Sequence, residues 1–108
     1  MKIEANPTFV HNVTVLTPSN GGFDKENLKV TFRFFDLDAV NKYDLATTEG
    51  STEFFKAVIA DLGDLTDSAG QPVAYSETVR DALLRRHSVR QALSSHYFDA
   101  ITKVKTGN

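Results

Sequence analysis

The sequence predicts an α+β fold, with a small antiparallel sheet of two to three N-terminal strands packed against about four helices. Three observations carry this. Residues 28–34 (LKVTFRF) alternate apolar and polar side chains cleanly and residues 9–17 (FVHNVTVLT) imperfectly, the period-two pattern of half-buried strands. After Phe35 the apolar period lengthens to about 3.6, the helical repeat. Strands followed by a run of helices make separate layers, not an alternating parallel sheet.

The first strand is rich in β-branched residues and places Phe9, Val13 and Val15 on one side, Asn12 and Thr14 on the other. In the second, Leu28, Val30, Phe32 and Phe34 share a face against Lys29, Thr31 and Arg33. Between them residues 18–27 (PSNGGFDKEN) hold Pro18, Asn20, Gly21 and Gly22, which suit turns and positive φ, so a mobile loop is expected there.

Asp36 or Asp38 is placed to cap a short helix carrying Leu37, Val40, Tyr43 or Asp44, and Leu45. Gly50 punctuates. From Ser51, Phe54, Phe55, Val58, Ile59 and Leu62 recur at helical spacing until Gly63 stops the helix. Residues 67–70 read as a turn and residues 72–75 as extended chain able to add a short edge strand. Ser76 caps a helix to about Arg86 that buries Val79, Ala82 and Leu83, with Glu77 and Asp81 near its positive end. Ser88 and Gln91 form a capping box that opens the last helix, whose stripe is Val89, Ala92, Leu93, Tyr97, Ala100, Ile101 and Val104.

The 108 residues match the size of one domain, so the whole chain, 1–108, is read as a single unit. Hydrophobic residues at 41% and charged residues at 24% are ordinary for a folded soluble chain and argue against disorder. A net charge of -2 supplies no general attraction to nucleic acid. The absence of cysteine removes disulfides, thiol nucleophiles and thiolate zinc sites. The N-terminal MKIEANPTFVHNV lacks the apolar run of a signal peptide, and no stretch approaches the ~18 apolar residues of a membrane span. The expectation is a cytoplasmic protein without a membrane partner.

No reactive constellation emerges, and neither catalytic residues, metal nor cofactor are expected. His87 and His96 fall on opposite sides of a helix and do not converge. Asp61, Asp64 and Asp67 are spaced by three, unlike the alternate acids of a calcium loop. The glycines of residues 19–22 are not followed by Lys and Ser or Thr, as a phosphate loop requires. Arg80, Arg85, Arg86 and Arg90 form the only basic cluster, diluted by Glu77 and Asp81, and read as a solvated or salt-bridged helix face, with no nucleic-acid partner expected.

The opening "NPTFVHNVTVLTPSNGG" followed by "NLKVTFRFFDLD" resembles the start of tail assembly chaperones of lambda-like, long-tailed bacteriophages. The likeness continues through "FFKAVIADLGDLTDSAGQPVAYSETVRDALL", similar to that family's helix, Asp/Gly turn, Pro-apolar-aromatic-Ser run and next helix. Nearly the whole chain is covered. Leu62 stands where relatives often have Trp, and Ser88 where they often have Pro, which bears on subgroup rather than fold.

The resemblance implies a non-catalytic chaperone that binds the tape measure protein and keeps it soluble until tail tube subunits polymerise around it. It implies work in the host cytoplasm, absence from the mature virion, and recruitment of tube protein by a frameshift-extended form, this chain being like the short product. A tail tube or head-tail joining subunit retained in the virion is the alternative. Val89, Leu93, Tyr97 and Ile101 are either partner contacts or the chain's own core, and Phe23 is either folded onto the sheet or an exposed anchor. Uncovered strand edges and a long partner point to weak homo-oligomers.

Overall fold

The computed structural model describes Met1, Ile3 and residues 7–106, with side chains described as far as Thr102. The elements in chain order are β1 (Thr8–Ser19), β2 (Gly22–Arg33), α1 (Leu37–Val40), α2 (Thr48–Val58), β3 (Ile59–Gly63), α3 (Glu77–Leu84) and α4 (His87–Thr106). The strands form one antiparallel sheet in the order β1-β2-β3. Together with four helices they make the small α+β fold that the sequence pattern predicts.

Alternation decides which face of the sheet is covered. Val13 and Val15 of β1 and Leu28, Val30 and Phe32 of β2 are buried, whereas Val10, Asn12, Thr14 and Leu16 between them are exposed. The inner face meets Phe54, Phe55 and Val58 of α2, Leu84 of α3, and Val89, Leu93 and Tyr97 of α4 in one core. The other face is open to water.

The loop expected over residues 18–27 is instead strand, as β1 and β2 run to a two-residue turn with Ser19 opposite Gly22. Gly21, at φ 77, supplies the left-handed residue that so tight a reversal needs. The polar composition taken for a loop is that of a ladder wetted on both faces. Its cross-strand pairs include Thr17, whose hydroxyl donates to Glu26 at 3.2 Å.

The third strand also differs from expectation. The helical spacing of Phe54, Phe55 and Val58 holds to Val58, but Ile59 turns extended (φ -85, ψ 117) and begins β3. Ile59 and Leu62 are both buried although three residues apart, because a bulge opposite Thr31 and Phe32 leaves Ala60 without a partner. Residues 72–75 do not join the sheet. They make one bridge, Thr66 to Pro72, across a turn in which the Asp67 carboxylate accepts from the amides of Ala69 and Gln71, both at 2.9 Å.

The helix starts follow the capping residues closely. The Asp36 carboxylate accepts from the Ala39 amide at 2.9 Å, and the Ser76 hydroxyl from the Val79 amide at 3.1 Å. Helix α1 ends at Val40, leaving Tyr43 and Leu45 to pack on the core from the following turns. Gly50 lies inside α2, whose cap is Thr47, not before it. Helix α3 buries Leu84 and exposes Ala82, a rotation from the expected face. Helix α4 starts at His87, with the Arg86 carbonyl accepting from the Arg90 amide at 3.1 Å, so Ser88 and Gln91 sit within its first turns and do not form its cap. Val104 lies beyond the described side chains.

Candidate functional site

Tyr97 organises the end of the molecule where surface apolarity collects. It is fully buried, with ring centroids 5.2 Å from Phe32, 5.6 Å from Phe54 and 5.9 Å from Phe9. Its hydroxyl donates to the Arg33 carbonyl at 2.9 Å and accepts from the Phe35 amide at 3.0 Å, fastening α4 to the point where β2 ends. Burial pushes the Tyr97 phenol above its ordinary pKa, and the Phe35 amide offsets part of that rise.

One turn further along α4, Ile101 emerges from the core and is half-buried. Beside it Phe34 leaves the strand with its amide donating to the Pro7 carbonyl at 3.0 Å, and its ring is 39% exposed. These two side chains form a wall between two hollows. The first, of about 480 Å³, is lined by Pro7, Thr8, Phe9, His11, Ala100 and the wall itself. The second, of about 580 Å³, lies towards α1 and is lined by Phe35, Asp36, Leu37, Asp38, Phe98 and Thr102 together with the wall. Both are dominated by apolar side chains, the lining expected of surfaces that take up another apolar group.

Of the five residues singled out from the sequence, Val89, Leu93 and Tyr97 belong to the chain's own core and are closed to a partner in this fold. They lie at i, i+4 and i+8 on α4, a single buried stripe facing the sheet. Ile101 continues that stripe to the surface and is the one of the four that lines the two apolar hollows. Phe23 is far from it. It sits at the hairpin tip opposite Pro18 and is 67% exposed, on strand rather than in a loop.

The arginine cluster is partly structural. Arg80 donates to the Lys56 carbonyl at 3.3 Å and pairs with Asp81 at 3.0 Å, and Arg90 donates to the Leu84 carbonyl at 2.6 Å. Both satisfy carbonyls that a helix end leaves open. A polar cleft between the start of α2 and α4 includes Arg90, already engaged in this way, with His87, Thr48 and Ser51.

One polar contact has no sequence precursor. His11 of β1 and His96 of α4 are joined by a hydrogen bond of 2.7 Å between Nδ1 and Nε2, one ring donating and the other accepting. The partners are 85 residues apart, and local pattern carries no trace of such a pair. Among the described residues no three His, Cys, Asp or Glu side chains gather as a metal site.

Geometry thus defines an α+β domain with two apolar hollows at one end and, at the other, a polar hairpin tip that exposes Phe23. Compared with family models, curated proteins and solved structures, the chain matches none significantly.

Proposed function

We propose that this chain is a tail assembly chaperone of a lambda-like, long-tailed bacteriophage, which binds the tape measure protein and keeps it soluble while tail tube subunits assemble. The sequence resemblance supports this reading. The observation that carries it in the fold is the apolar hollow between Pro7, Phe9, Phe34, Ala100 and Ile101, which offers the apolar stripe of a partner helix a seat beside α4. A chaperone of this kind needs affinity without chemistry, works in the host cytoplasm, and leaves before the virion is complete. Recruitment of tube protein belongs to a frameshift-extended form, and no nucleic acid or membrane takes part.

Co-expression with the tape measure protein tests the proposal. The tape measure protein should be soluble and co-purify with this chain, and should return to the pellet when Phe34→Asp is used instead, with the variant's own fold verified by circular dichroism. Tape measure protein equally insoluble with and without the chain refutes the reading. Detection of the chain in purified virions at structural copy number would favour the alternative, a tube or head-tail joining subunit.

A further inference from the structure

Strand β2 sorts its charges between the two faces of the sheet. With Leu28, Val30 and Phe32 turned to the core, alternation sends Asp24 and Glu26 to the covered side and Lys25, Lys29 and Arg33 to the open side. Beside them on β1, the open face shows Val10, Asn12, Thr14, Leu16 and Pro18, all exposed and none charged. Among the described residues of the three strands, the one acid on this face is Asp61 of β3, opposite Thr31. In a chain whose acids outnumber its bases, 14 to 12, the open face thus gathers three cations against one carboxylate.

The fold fixes two of these cations in place. The Arg33 guanidinium rests on the Ala57 and Ile59 carbonyls, which orient it without neutralising its charge. The Lys29 stem lies over Gly63, where a Cβ would stand 3.2 Å from the lysine Cδ. No carboxylate among the described residues pairs with Lys25 or Lys29. The same face leaves Val10 and Leu16 about half exposed, because the helices all pack on the other side. Two rows of different chemistry therefore run side by side about 4.8 Å apart, uncharged with two apolar side chains along β1 and cationic along β2.

We propose that the open face docks an acidic amphipathic helix of another protein, with its apolar stripe on Val10 and Leu16 and its carboxylates on Lys25, Lys29 and Arg33. Charge complementarity selects this occupant. A helix about 10 Å wide spans both rows, whereas an extended chain covers one. A second copy of this chain has no such helix to offer, since the apolar stripes of α2 and α4 are turned into its own core. Nucleic acid would set phosphates against Val10 and Leu16, and the face carries one aromatic side chain, Phe23, where base stacking uses several. None of the contact residues lines the first hollow, so the inference goes beyond tape measure binding there and stands without it.

The test is an NMR titration of the isolated chain with a synthetic helical peptide carrying leucines along one stripe and glutamates beside it. Amide shifts should move at Val10, Leu16, Lys25 and Lys29, and added salt should weaken the binding. The double variant Lys25→Glu, Lys29→Glu should weaken it at least about tenfold. That variant should instead take up the counterpart peptide with lysine in place of glutamate, which the wild type should refuse. Lys25→Glu alone, at an exposed position, should shift affinity in the same direction, with an unchanged thermal midpoint establishing that folding is intact. Absence of binding at about 1 mM peptide overturns the proposal. Equal binding of the two peptides overturns it as well, as does affinity untouched by the double variant, or shifts centred on Ala100 and Ile101 at the first hollow. An oligothymidylate that binds the same residues more tightly than the glutamate peptide overturns it in favour of nucleic acid. Tape measure solubility plays no part in these readouts, so this inference and the proposed function fail separately.

Discussion

Replacing Tyr97 by Phe removes one oxygen atom and leaves the ring stack around Phe9, Phe32 and Phe54 in place. That oxygen holds two backbone groups, the Arg33 carbonyl and the Phe35 amide, at the junction between β2 and α1. Each bond has a net worth of about 1 kcal/mol, and the two groups lose a partner in partly buried surroundings, so about 2 kcal/mol is expected. For a domain of this size that lowers the thermal midpoint by roughly 8–16 °C. Thermal and urea unfolding followed by circular dichroism measure it. The same variant isolates a pH effect. The folded state holds the Tyr97 proton more tightly than the unfolded chain, so the stabilisation is complete below the ordinary phenol pKa of about 10 and is lost as pH rises beyond it. Tyr97→Phe should flatten that alkaline decline. A midpoint within about 2 °C of wild type would show that the hydroxyl does not fasten this junction.

Gly50→Ala should destabilise by about 1–3 kcal/mol in urea unfolding, because its Cβ would overlap the Asp44 carbonyl and the capping Thr47 hydroxyl, outweighing the gain of up to ~1 kcal/mol in helix propensity. Gly21→Ala meets no neighbouring atom and should cost about 1 kcal/mol through its left-handed backbone alone, again read by urea unfolding. His96→Ala should cost about 1 kcal/mol by breaking its bond to His11, whereas His87→Ala, at an exposed position, should stay within about 0.5 kcal/mol of wild type.

Local rules were enough wherever the cause was local. Asp36 and Ser76 announce their helices because a short side-chain acceptor meets an amide three residues on. The inner face of β2 follows from clean alternation and that of β1 from an imperfect one, in which Val10 and Leu16 are apolar yet face outward. The third strand was hidden by its bulge, since shifting the register by one residue puts Ile59 and Leu62 at helical spacing. The hairpin tip was hidden by composition, although Asn20-Gly21 carried the turn signal. A stripe on α4 shows which side is apolar but not how far the sheet extends beneath it, so Val89, Leu93 and Tyr97 could not be divided from Ile101 by sequence alone. The first hollow arises where residues from both ends of the chain meet Phe34, the second where residues 34–38 meet the far part of α4, and no window of sequence contains either.

Helix α2 passes into β3 at Val58 and Ile59 with no connecting residue, both are buried, and the Arg33 guanidinium from the central strand holds the Ala57 and Ile59 carbonyls at 3.0 and 2.9 Å. A joint of zero length has no slack. A hinge needs a few residues free to change φ and ψ, and here each such residue is either helical, hydrogen-bonded to the sheet or clamped by Arg33. Any motion of this molecule must therefore carry α2, β3 and β2 as one piece. By the same reasoning, an insertion scan should find residues 58–59 among the least tolerant positions in the chain, and the surface turn of residues 67–70 among the most tolerant.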